Sequence, residues 1–154
     1  MRKIVRWASA LAIGGAVAIQ FIRPARTNPV TVPERALAAQ LPITREAAAV
    51  LDRACRDCHS HDTRWPWYSN VAPVSWFVVD HVNHGRRHLN FSDWAQYPGE
   101  TAERLLENTC AFARKETMPL PSYLRVHREA RLSDADVTTL CDWTDSAVRV
   151  ARRF

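Results

Sequence analysis

The pentapeptide Cys55-Arg56-Asp57-Cys58-His59 constrains this chain more than any other feature. Two thiols three positions apart fall on one helical turn, and a histidine follows the second directly. C-x-x-C-H reads as the attachment site of a c-type haem. The thiols can add to the two vinyl groups of one porphyrin, and the histidine then falls under the iron as its proximal ligand. A fold that takes such a group must be built around it.

Three rival readings of the pentapeptide are weaker. A thioredoxin-like C-x-x-C needs a βαβ setting, and no stretch of useful length alternates apolar and polar residues. A zinc site needs a second ligand pair, and Cys110 and Cys141 do not form one. A Cys55–Cys58 disulfide leaves His59 without a role. The reading is therefore one covalently attached haem c per chain, bound through Cys55, Cys58 and His59.

The start of the chain sets the compartment. Arg2-Lys3 lead through Ile4 and Trp7 into an uncharged apolar run that ends at Arg23-Pro24. A short basic segment before such a run is the form of an export signal or signal anchor. From residue 4 to residue 22 it approaches the ~20 residues that cross a bilayer. Ala16-Val17-Ala18 has the small-x-small form of a cleavage site, but the apolar run continues past it. The expectation is an uncleaved transmembrane helix over 1–23, with Arg2, Lys3 and Arg6 in the cytoplasm. Everything that follows then lies in a compartment that permits disulfides.

Residues 24–43 read as a linker, broken by Pro24, Pro29, Pro33 and Pro42. A helical domain is expected over 44–152. Thr44 caps a helix running to about Cys55. A second runs from Val74 to about Leu89, a third from Glu100 to Lys115, and a last one, capped by Ser133, to about Arg149. Met118-Pro119-Leu120-Pro121 is expected to be extended, because each proline disfavours helix for its predecessor. The class is all-α. With only four glycines, a Gly-rich nucleotide loop is excluded. The net charge of +5 is spread along the chain without a basic, aromatic-interleaved run, so nucleic acid is not an expected partner.

Haem iron asks for a sixth ligand. Met118 is the candidate, a thioether about sixty residues beyond His59 in a Pro-containing segment. Trp65, Trp67, Tyr68 and Trp76 are candidates to line the haem edge, with Arg64 or Arg86 to pair with propionates. His81, His84 and His88 fall roughly on one helical face. They read as a solvated face, with distal ligation as the sharper alternative. Cys110 and Cys141 remain after haem attachment; a disulfide between them would tie the Met118 loop closed, and two buried thiols is the alternative.

Taken together these residues resemble a known group. Cys55 to His59, Met118-Pro119 and Leu132-Ser133-Asp134-Ala135-Asp136 with Trp143 resemble class I cytochrome c domains. The segments 63–70, 73–76, 81–86 and 90–94, rich in Trp, His and Asn, resemble the bacterial haem-binding domain family, which is cytochrome c-like. The resemblance implies a cytochrome c-like helical domain around one haem, behind a single-pass anchor in the bacterial inner membrane and facing the periplasm. The expected function is electron transfer by His59/Met118-ligated iron, an electron carrier rather than an enzyme. Its partner would be a redox protein in the periplasm or membrane. The alternatives are a peroxidase-like haem enzyme or gas sensor with a displaceable sixth ligand, and a haem-binding subunit of a larger membrane complex.

Overall fold

A computed structural model describes residues 1–152 of the chain, and among them every regular element is helical. Helix α1 spans Arg2–Ala18 and runs on into a 3-10 turn, Ile19–Phe21. It buries none of its residues, and it is long and apolar enough to cross a membrane.

Segment 24–43, expected as a linker, is more structured than its prolines suggest. Pro33 opens a 3-10 turn over Pro33–Arg35, where its missing N–H costs nothing. A short helix α2, Leu37–Gln40, follows. Leu37 and Leu41 are both buried in the main core.

Helix α3, Arg45–Ala54, starts where the sequence placed it. The Thr44 side chain accepts a hydrogen bond from the Ala47 amide, and Ala47, Val50, Leu51 and Ala54 form the buried stripe. The chain then breaks at Cys55 and restarts as the single turn α4, Arg56–His59. A 3-10 turn at Trp67–Asn70 precedes α5, Val74–His88. At Asn90 the side chain accepts from the Ser92 amide and opens a further 3-10 stretch, Phe91–Gln96.

Helices α6, Gly99–Arg114, and α8, Asp134–Ala151, form the most extensive packing in the fold. Leu106 and Leu140 are 1% exposed between them. Cys110 of α6 and Cys141 of α8 are joined by a disulfide. Between the two lies the single-turn helix α7, Pro121–Leu124, so the stretch 118–121 expected to be extended is instead a bend at Met118-Pro119 followed by the start of a helical turn.

The start of α8 is a capping box. Ser133 accepts from the Asp136 amide, and the Asp136 carboxylate accepts from the Ser133 amide. Arg53 of α3 reaches across to the same carboxylate at 2.8 Å, and its guanidinium also donates to the Glu129 and Arg131 carbonyls. These contacts hold α3, and so the pentapeptide at its end, against the start of α8. Losing the cap through Ser133→Ala should cost about 1 kcal/mol. The Ser133 amide is the main influence holding the Asp136 carboxyl below its usual range, with Ser133 and Arg53 side chains adding to it. A lowered carboxyl stabilises the fold above its unfolded value of ~4, and that contribution fades as pH falls through the folded value. Melting curves between neutral pH and pH ~3 check this: Asp136→Asn should flatten the acid limb.

Candidate functional site

The break at Cys55 positions the site. Helix α3 ends at Ala54 and α4 is a separate turn, so Cys55 packs against the main core while Cys58 lies against Gly85 of α5. The Cys58 and His59 amides both point back to the Cys55 carbonyl, which closes the turn. Both thiols are partly buried and free. Burial pushes Cys55 up to about 12 and Cys58 up to about 11, so both are neutral thiols at ordinary pH.

His59 is held by the end of α5. Its Nδ1–H lies 3.1 Å from the Gly85 carbonyl and 3.0 Å from that of Leu89. Carbonyls only accept, so Nδ1 carries the proton and Nε2 keeps its lone pair. A histidine whose Nδ1–H is held by carbonyls in this way can present Nε2 to a metal. Burial lowers the His59 pKa against the opposing pull of those two hydrogen bonds, and so favours the neutral imidazole.

Gly85 permits this approach. A Cβ there would stand 2.5 Å from the carbonyl oxygen of Cys58. Helices α4 and α5 can lie this close only because position 85 has no side chain.

Beside Cys58 opens a cavity of about 390 Å³, in the range of sites for small ligands. Its walls come from α4, the 63–68 segment, α5 and α7. Trp67, Val74, Phe77, Val82 and Leu120 make it mainly apolar. An apolar group fits such walls. The polar rim holds two hydrogen-bonded sets. In one, Asp57 accepts from Tyr123 Oη at 2.9 Å and from Arg64 Nε at 3.0 Å. In the other, His127 Nδ1 donates to Glu129 at 3.1 Å, which leaves Nε2 to accept from Tyr68 Oη at 2.6 Å. Tyr123 and His127 stack at 4.1 Å and join the two sets. Burial is the largest influence raising both phenols.

The sequence-selected residues divide among these features. Trp67, Tyr68, Arg64 and His81 line the cavity together with Cys58. Trp65, Trp76 and Arg86 face away toward residues 22–28. Trp65 donates to Asn28 and Trp76 to the Ile22 carbonyl, while Arg86 donates to Ser60, Thr27, Asn28 and Thr63. Their donors are thus engaged within the protein. His84 and His88 are exposed, as a solvated helix face requires, whereas His81 is half-buried against Phe77. Met118 lines a different cleft, beside Ala113, Leu124 and Leu132. No cluster of three or more His, Cys, Asp or Glu able to hold a metal ion occurs among the described residues.

The sequence reading missed Gly85, Tyr123, His127 and Glu129. Tyr123 and His127 are four apart just after Pro121, which opens a helical turn, so a shared face was the available signal. Nothing in the sequence pointed to Gly85.

A profile of the haem-binding domain family matches residues 14–146. The chain belongs to the haem-binding domain family. The match takes in the end of α1, the pentapeptide, the cavity walls, the disulfide and most of α8. No curated protein and no solved structure matches the chain. This haem-binding domain is a haem protein. Cys58 lines the apolar cavity, whereas Cys55 packs against the main core and His59 against the end of α5.

Proposed function

We propose that this haem-binding domain is a membrane-anchored c-type haem protein that transfers electrons outside the cytoplasm, in a fold related to class I cytochromes c. The observation that carries the proposal is His59. Its Nδ1 is fixed by two α5 carbonyls, it adjoins a pair of free thiols, and one of those thiols lines an apolar cavity. Cys55 and Cys58 would each add S–H across one vinyl group, forming a C–S bond with the proton passing to the neighbouring carbon. His59 Nε2 would be the proximal ligand. Haem iron, once bound, supplies one-electron ferric–ferrous cycling. Trp67 and Phe77 would exclude water from it, and Arg64 would stand near its anionic edge.

Met118 is the proposed sixth ligand, which requires its loop to turn the thioether out of the cleft it lines and toward the cavity when haem binds. Its loop hangs from one acceptor: the amides of Thr117 and Met118 and the Thr117 hydroxyl all donate to the Phe112 carbonyl. His81, already in the cavity wall, is the rival. Met118→Ala should turn the ferric spectrum high-spin, and His81→Ala should leave it low-spin. The opposite pair of results assigns the sixth position to His81.

For the location, a buried disulfide between α6 and α8 supports an oxidising compartment, and α1 supports a single-pass anchor in a bacterial inner membrane with the haem domain in the periplasm. The redox partner would then lie in the periplasm or the membrane.

A second reading, a haem enzyme or gas sensor, draws on the Tyr68–His127–Glu129 set, which could move a proton at the cavity rim. Carbon monoxide separates the two. A reduced low-spin spectrum that carbon monoxide leaves unchanged is expected for electron transfer, and rapid binding favours the second reading.

A further inference from the structure

Helix α1 does not end on a free tether. Gln20, in the turn that extends it, clamps the backbone of Ala72 at both ends. Its Nε2 donates to the Ala72 carbonyl at 3.0 Å, and its Oε1 accepts from the Ala72 amide at 2.9 Å. Two residues on, the Ile22 carbonyl accepts from Trp76 Nε1 at 2.6 Å. Asn28 continues the seam, donating to the Thr63 carbonyl at 2.9 Å and accepting from Trp65 and Arg86 at 3.0 Å each. The stretch 20–28 is thus fastened along 63–76 and onto α5 by side chains whose partners are mostly backbone atoms.

The fastening fixes where the domain stands. Phe21 and Ile22, at the end of the apolar helix, are 85% and 66% exposed, and Val71 and Trp76 beside them are 42% and 38% exposed. Aromatic side chains favour the water–lipid boundary, and basic residues such as Arg23 and Arg26 favour anionic headgroups. We infer that the Val71–Trp76 face rests in the headgroup layer of the bilayer that α1 crosses, on the side where the domain lies. The inference rests on the anchor reading above. Its occupant is the lipid surface itself. Val74 belongs both to this face and to the cavity wall, so the cavity adjoins the docked face.

Photo-crosslinking of the full-length holoprotein, reconstituted in vesicles of phosphatidylethanolamine and phosphatidylglycerol, tests this. One lipid probe carries a diazirine at the headgroup and another at the acyl terminus, and adducts are mapped by mass spectrometry. The headgroup probe should label the 71–76 peptide several-fold above the α6 peptide holding Phe112, which is similarly exposed at 44%. The acyl probe should label the middle of α1. In Gln20→Ala/Trp76→Phe, labelling at 71–76 should fall several-fold while α1 labelling persists. Labelled α1 with 71–76 no higher than the α6 peptide overturns the docked face and leaves the anchor intact. Unlabelled α1 overturns the anchor, and the docked face with it.

Discussion

A Gly85→Ala variant should lose both stability and haem, although alanine is the better helix former. Position 85 lies within α5 and has no positive φ. On propensity alone, the substitution would stabilise the helix by about 1 kcal/mol. The structure reverses the sign. The new Cβ would stand 2.5 Å from the Cys58 carbonyl oxygen and 3.2 Å from that residue's carbonyl carbon and its Cβ. Two of these are backbone atoms of the single turn that carries the thiols and His59, so no rotamer change relieves the clash. Overpacking of this kind costs typically about 1–3 kcal/mol, enough to outweigh the propensity gain. The separation forced on α4 and α5 would also lengthen the His59 Nδ1 contact with the Gly85 carbonyl. Thermal denaturation and haem-to-protein ratio measure the two effects. A variant as stable and as haem-loaded as the wild type would show that α4 and α5 do not meet as described.

Removing the Cys110–Cys141 disulfide should be the largest single loss of stability. The bridge closes a span of 31 residues between the two helices with the most extensive packing. Chain-entropy arguments give about 3–4 kcal/mol for a loop of that length. Both cysteines are buried, at 7% and 1% exposure, so Cys110→Ala/Cys141→Ala also creates small voids. A domain of this size should melt several degrees lower per kcal/mol lost. Wild-type protein under reducing denaturation should follow the same curve to within the void cost. Coincident melting of wild type and double variant would contradict the assignment.

How far the sequence carried the reading depends on the range of the interactions involved. The starts of α3 and α8 were legible because capping is local: Thr44 and Ser133 act on amides three residues away. The pentapeptide was legible for the same reason. Segment 33–41 was not, because the apolar partners that bury Leu37 and Leu41 lie far along the chain, while its prolines signal only local irregularity. Arg86 and Trp76 carried the residue types of a propionate partner, but Thr27, Asn28 and the Ile22 carbonyl engage them, a competition that spacing does not reveal. The cavity beside Cys58 shows the same limit, because its walls come from segments spread from residue 57 to residue 127. The Tyr123–His127 stack needed the turn at Pro121 to bring it to the cavity.

Cys55 and Cys58 would hold haem covalently, with His59 Nε2 as its proximal ligand. Acid–organic extraction of the purified protein, followed by haem-stained denaturing electrophoresis and intact mass, tests it most directly. Wild-type chains should keep the stain and carry the mass of one haem, and Cys55→Ser/Cys58→Ser should lose both. Complete extraction of haem from the wild-type chain, with the mass of the unmodified polypeptide, would contradict it.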